Sequence, residues 1–202
     1  MAYPHSTQVS RAWGRTIARP AVFLDRDGVI IENQEDYIKS WDKVHFLPEV
    51  FEMLRRLARS KYALVLVTNQ SVVGRGIITL DQAERINSSI VRKIESKGGR
   101  IDASYFCPHH PDDKCNCRKP APGMFLSAAQ TLNLDLKSSF VIGDAVSDLK
   151  AARIVGAQGI LVLTGRGKEQ VSFLDACNKQ EWQVVADLNE AVDFIISKEE
   201  TD

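Results

Sequence analysis

The sequence predicts a doubly wound, mostly parallel α/β sheet. Three observations carry that expectation: short unbroken apolar runs recur along the chain, helical apolar stripes separate them, and polar clusters follow several of the runs. Strands buried on both faces read as continuous apolar segments, whereas half-exposed strands alternate. Strand–helix alternation over most of a chain points to a parallel sheet covered on both sides.

The elements fall in this order. Residues 1–19 read as an N-terminal arm and 20–202 as a single domain, the natural prior for a chain of 202 residues. Ala21-Val22-Phe23-Leu24 is the first strand. Pro48 suits the first position of a helix that places Val50, Leu54, Leu57 and Ala58 on one face. A second strand covers 63–67. Thr79 and Gln82 have the spacing of a capping box, and Ile86, Ile90 and Ile94 continue from it as an apolar stripe. Helices are expected over 123–134 and 146–155, the latter closed by Gly156. Strands at 139–142 and 159–163, then Val184-Val185 and a helix at 191–196, complete the series. No repeat, low-complexity tract or large cap insertion interrupts it.

Composition narrows the function. The 26 basic residues balance the 26 acidic ones, so a general nucleic-acid binder, whose affinity comes from neutralising phosphates, is not expected. No segment has the roughly 18 apolar residues that span a bilayer, and the first twenty residues lack the apolar core of a secretion signal. The expectation is a cytoplasmic monomer, free of membrane, with reduced cysteines.

Three of the four cysteines lie in the run CPHHPDDKCNCRKP. Cys107, His109, Cys115 and Cys117 offer three sulfurs and one imidazole in a zinc loop at 107–117, the donor set of tetrahedral zinc. His110 competes for the fourth place; His109 is preferred because its spacing from Cys107 matches that of Cys115 from Cys117. Such residues also fill cores, but a proline-rich polar loop is poor core material. Four protein ligands leave no open position, so the zinc is expected to be structural and to fix Arg118-Lys119 behind it. Cys177 stands apart as a bystander.

In doubly wound sheets ligands bind beyond the carboxyl ends of the strands. Asp25-Arg26-Asp27-Gly28 follows the first strand, Thr68-Asn69-Gln70-Ser71 the second, and Gly143-Asp144-Ala145-Val146-Ser147-Asp148 a later one. Asp25, Asp27 and Asp144 together suit Mg²⁺, which takes few protein oxygens and keeps several waters. Asp25 could then attack a phosphorus, Asp27 serve as acid and base, Thr68 and Asn69 hold phosphoryl oxygens, and Lys119 offset charge. Each piece alone has a plainer reading, since Asp and Gly are common in turns; their order at successive strand ends is harder to obtain by chance. An EF-hand loop is excluded because Val29-Ile30-Ile31 replace its oxygen ligands. A P-loop kinase is excluded because Glu169 follows Gly167-Lys168; Gly165-Arg166-Gly167 reads as a turn.

Phe23 to Val29, Thr68 to Ser71, Lys119 and Gly143 to Asp148 resemble the four motifs of haloacid-dehalogenase-type phosphatases over about residues 20–165. The Cys-x-His and Cys-x-Cys-Arg-Lys-Pro loop resembles members that act on small phosphorylated sugars. The resemblance implies a HAD-like Rossmannoid fold and an aspartyl-phosphate mechanism, with Asp25 as nucleophile and Asp27 as acid/base. It implies Mg²⁺ on Asp25, the backbone carbonyl of Asp27 and Asp144. Thr68, Asn69, Gln70, Ser71, Arg118 and Lys119 are implied to meet substrate, and residues 33–37 to form a specificity loop. One departure is Ala145, where members often carry a basic residue. A different small-molecule phosphatase, or a zinc-stabilised binding module without catalysis, are the alternatives.

Overall fold

The computed structural model describes residues 17–174 and 182–199; Cys177 lies outside them. The chain runs β1 (Ala21–Leu24), α1 (Val50–Ala58), β2 (Ala63–Asn69), α2 (Ser71–Gly74), α3 (Leu80–Ser96), β3 (Ala103–Cys107), α4 (Gly123–Leu132), β4 (Phe140–Gly143), α5 (Val146–Val155), β5 (Gln158–Val162), α6 (Gly167–Gln170), β6 (Gln183–Val185) and α7 (Leu188–Glu199). The six strands lie in the order β3-β2-β1-β4-β5-β6, and every pairing is parallel.

Alternation within the apolar strands distributes the core over both faces. Val22, Leu24, Leu64, Leu66, Ile142 and Ile160 face a cluster completed by α1, α3 and α7, including Leu54, Ile90, Ile94, Val192 and Ile195. Ala21, Phe23, Val65, Val67 and Val141 face the opposite cluster with Met124, Phe125 and Ala128 of α4 and Ala151 and Ala152 of α5. Each fully buried Leu, Ile or Phe contributes about 1.5–3 kcal/mol over an exposed one.

Four sequence expectations are adjusted. The helix near Pro48 starts at Val50, because Leu47 to Val50 form a turn with Pro48 at its second position and Glu49 at φ 58° in its third. The helix from Gly123 stops at Leu132, because Asn133 takes the left-handed conformation (φ 52°) that ends helices. The last helix begins earlier, at Leu188, where the Asp187 carboxylate accepts from the Glu190 amide at 3.1 Å. Strand β3 was not expected at all: its first two residues, Ala103 and Ser104, are only half-buried, and it is one of the two edge strands. It matters because it delivers Cys107 to the end of the sheet. The Thr79–Gln82 capping box and the Gly156 cap (φ 78°) form as expected.

At the start of the described chain, Arg19 pairs with the segment after α4, donating to the Asn133 carbonyl and accepting from the Asp135 amide.

Candidate active site

The carboxyl ends of β1, β2, β4 and β5 surround a cavity of about 600 Å³. Asp25 continues β1 by one residue, its amide donating to the Ile142 carbonyl at 2.9 Å. The chain then turns back, and Gly28 makes that turn at φ 82° with its Cα against the Asp144 carboxylate, a place where a Cβ would collide. Asp144 stands at the end of β4. Asp148 follows it within α5 and accepts from the Ala145 amide at 3.2 Å, closing the helix start.

Asp25, Asp144 and Asp148 form one cluster, with one carboxylate oxygen from each lying within 4.8 Å of the others. A single buried cation enters it from within the protein's second flank. Lys119 Nζ lies 2.8 Å from Asp25 Oδ1 and 2.5 Å from Asp148 Oδ1, and it donates to the Val67 carbonyl at 2.9 Å. Two of the three carboxylates thus share one ammonium, while Asp144 pairs with Arg166 Nη2 at 3.0 Å. Burial pushes Asp25 up to about 7; Lys119 opposes that, and Asp148, Asp144 and Asp27 reinforce it. Burial works to lower Lys119, but Asp148 and Asp25 outweigh it and hold the lysine above its ordinary value. Burial leads the first shift and neighbouring carboxylates the second, and a divalent cation bound by hard oxygens fits such a buried acidic cluster.

Asp27 stands apart from this cluster. Its carboxylate accepts from Arg26 at 3.0 and 3.1 Å, Gln70 Nε2 at 3.0 Å and Thr68 Oγ1 at 3.3 Å. It is half-buried on the cavity wall, so one side chain of the Asp-x-Asp pair faces Lys119 and the other faces the end of β2. Thr68, Asn69, Gln70, Ser71, Arg118 and Lys119 also line the cavity. Asn69 is committed to the backbone of Lys119: Oδ1 accepts from its amide at 3.0 Å and Nδ2 donates to its carbonyl at 3.1 Å. Asp144 lies behind the wall, fully buried, and accepts from Asn33 Nδ2 at 2.6 Å and from the Arg166 backbone amide at 2.9 Å.

Sequence reasoning left Arg26, Asp148 and Arg166 without a role and gave Asn33 only a place in the expected specificity loop. Arg26 clamps Asp27 and Gln70, Asp148 holds Lys119, and Asn33 and Arg166 hold Asp144. For Asp148 a signal existed, an acid one helical turn beyond Asp144 and facing Gly143, where a Cβ would meet its carboxylate. Arg166 carried only its place between two glycines after β5.

The second donor set lies just behind Lys119. Sγ of Cys107 is 3.4 Å from His109 Nδ1, 3.5 Å from Cys115 Sγ and 3.2 Å from Cys117 Sγ. Cys117 Sγ lies 3.2 Å from His109 Nδ1 and 3.5 Å from Cys115 Sγ. These separations are close to the edges of a tetrahedral metal site, about 3.5–3.8 Å. His110 is outside the set; its Nδ1 accepts from the Asp112 amide at 3.3 Å. Three sulfurs and one nitrogen fit a soft, four-coordinate metal.

The family model described as "HAD-hyrolase-like" matches residues 116–191. The chain is 38% identical over 151 residues to D-glycero-beta-D-manno-heptose-1,7-bisphosphate 7-phosphatase of Pseudomonas aeruginosa, covering 75% of this chain and 85% of that protein. It is 37% identical over 180 residues to the protein of the same name from Yersinia pestis, covering 86% of this chain and 95% of that one. Its fold matches the crystal structure of D,D-heptose 1,7-bisphosphate phosphatase from B. bronchiseptica complexed with magnesium and phosphate, with a TM-score of 0.82 and 33% identity over 89% of this chain and 99% of that one. No helix among the described residues is long and apolar enough to cross a membrane.

Proposed function

The chain belongs to the haloacid-dehalogenase-like hydrolases, and from that premise we propose that it is a Mg²⁺-dependent phosphomonoesterase removing the C7 phosphate of D-glycero-D-manno-heptose 1,7-bisphosphate. The observation that carries the reading is the convergence of Asp25, Asp144, Asp148 and Lys119 beside a 600 Å³ cavity, in a chain whose relatives bear that enzyme's name.

Asp25 attacks phosphorus through a carboxylate oxygen. The new O–P bond forms as the bond to the C7 oxygen breaks, and Asp27 donates a proton to that oxygen. Water then attacks the aspartyl-phosphate, Asp27 takes a proton from it, and the Asp25–phosphorus bond breaks to release phosphate. The contacts from Arg26, Thr68 and Gln70 hold Asp27 in place for both transfers. Lys119 keeps positive charge at Asp25 throughout. Asp25, the backbone carbonyl of Asp27 and Asp144 would hold Mg²⁺, which when bound supplies the divalent charge that keeps the carboxylates ionised and stabilises the phosphoryl oxygens. Asn69 acts by positioning Lys119, and Thr68, Gln70, Ser71 and Arg118 meet the ester from the cavity wall.

Zinc is the metal we assign to Cys107, His109, Cys115 and Cys117. Its four protein donors leave no position for substrate, so its work is to hold Arg118-Lys119. The protein is read as a cytoplasmic monomer whose partner is a small phosphorylated sugar.

Phosphate release from both anomers of the heptose bisphosphate, other sugar phosphates and histidinol phosphate tests the assignment. The heptose bisphosphate is expected to give the highest kcat/KM. Faster turnover of histidinol phosphate would end the heptose assignment and leave the mechanism standing.

A further inference from the structure

Four cations face the cavity: Arg26, Arg118, Lys119 and Arg166. One of them, Lys119, has no donor left for a ligand's second anion, and a second, Arg26, spends Nε and Nη2 on Asp27 and Gln70. The Lys119 ammonium has three N–H groups, and Asp25, Asp148 and the Val67 carbonyl occupy all of them. Arg26 is buried and turned onto Asp27 and Gln70. This inner pair serves the reacting phosphate and its proton transfers.

Arg166 is built differently. Its side chain is 54% exposed. One edge of the guanidinium rests on the Asp144 carboxylate, through Nε at 3.3 Å and Nη2 at 3.0 Å, and the backbone amide of the same residue donates there at 2.9 Å. A guanidinium offers five donors in a fixed fork. Nη1 makes no hydrogen bond among the described residues, so the far edge of the fork is open on the cavity side. Because a fully buried carboxylate pins it, the fork is held in place before a ligand arrives, which lowers the ordering cost of binding.

Its place in the sheet supports the same use. Thr68 to Ser71 lie at the end of β2, on one side of Asp25; Arg166 follows β5, on the other side, beyond Asp144. The loop is tied down there by Thr164, whose hydroxyl donates to the Gly28 carbonyl at 2.6 Å. Ala145, directly after Asp144, supplies no charge. Glu35 and Glu169 also line the cavity, so an anion on this flank is held by aimed donors and not by a general positive field.

The geometry points to Arg166 as a specificity-determining residue that binds the uncleaved phosphate of a sugar bisphosphate. The inference rests on the phosphomonoesterase reading above and names a residue that makes a bisphosphate a better substrate than the matching monophosphate.

The test compares wild type, Arg166→Ala and Arg166→Lys on two substrate pairs, heptose 1,7-bisphosphate with heptose 7-phosphate and fructose 1,6-bisphosphate with fructose 6-phosphate. Mg²⁺ affinity is measured on each variant by calorimetry. Arg166→Ala is expected to lower the bisphosphate-to-monophosphate ratio of kcat/KM about tenfold or more, mainly through KM, and Arg166→Lys to recover part of it. Equal losses on both members of a pair, or an unchanged ratio, overturn the inference. So does a loss of Mg²⁺ affinity as large as the loss of activity, which would reduce Arg166 to a support for Asp144. Should the alanine variant melt below the assay temperature, Arg166→Gln takes its place. A wild type that prefers the fructose pair ends the heptose assignment, while the Arg166 ratio is still read on that pair; one that prefers neither bisphosphate overturns the inference.

Discussion

The cysteine–histidine knot and the carboxylate cluster sit on either side of Lys119, and they are built in opposite ways. The knot takes all four donors from one run of eleven positions, from Cys107 at the end of β3 to Cys117, and closes on itself. The cluster takes Asp25 from the end of β1, Asp144 and Asp148 from the end of β4 and the start of α5, and its lysine from the far flank. It opens on a cavity. A closed local set holds a shape; an open set drawn from distant strands leaves room for a ligand. Lys119 joins the two, because the knot fixes the chain just before it and the cluster uses its charge.

The largest break in this comparison comes from Asp25→Asn, which should lower phosphate release about 10⁴-fold or more. Its circular dichroism and zinc content should match the parent; residual activity within tenfold of the parent would remove Asp25 from the nucleophile's place. Lys119→Met should come next, with kcat down about 10²–10³-fold. It leaves Asp25 and Asp148 buried without their cation, so stability to urea should drop by about 3–5 kcal/mol while the knot keeps its metal. Loss of that metal in Lys119→Met would show that the two regions are one unit.

Cys117→Ser attacks the other side. Zinc content should fall below half, the melting temperature by about 10 °C, and kcat by about 10–10²-fold as Lys119 shifts. Unchanged kcat with zinc lost would separate the knot from the lysine. The smallest effect is a pH dependence confined to the open site. Asp25 is pushed up to about 7, by burial first, and only its ionised form binds a cation. Mg²⁺ affinity should therefore weaken on acidification below about 7, by roughly tenfold per pH unit. Calorimetry at pH 6 and pH 8 reads this, and equal affinities would place Asp25 outside the Mg²⁺ site.

The same contrast explains what the sequence disclosed. The knot's donors were legible because contiguous spacing is itself the geometry, down to the choice of His109 over His110. The strands were legible where apolar residues are contiguous, as at Ala63–Asn69 and at Val184-Val185 on one edge, and not in β3 on the other edge, which opens with half-buried Ala103 and Ser104. Asp25, Asp27 and Asp144 could be gathered because each stands at or near a strand end, and the strand-end rule brings such places together, whereas Lys119 lies well beyond β3 and was reached through the loop that precedes it. What the rule does not convey is direction. Nothing in the sequence says that Asp27 turns to Arg26 and Gln70 while Asp25 turns to Lys119, or that the Asn69 amide is spent on a backbone. Arg166 was hidden for the same reason, since its contact with Asp144 depends on the return of the chain after β5.

The two bonds between the Asn69 amide and the backbone of Lys119 carry one more consequence. They imitate a rung of sheet pairing, so the lysine takes its height from β2 and its heading from the knot, and the stretch from His110 to Lys114 sets neither. An engineered insertion after Asp113 should therefore leave the charged amine at the same address.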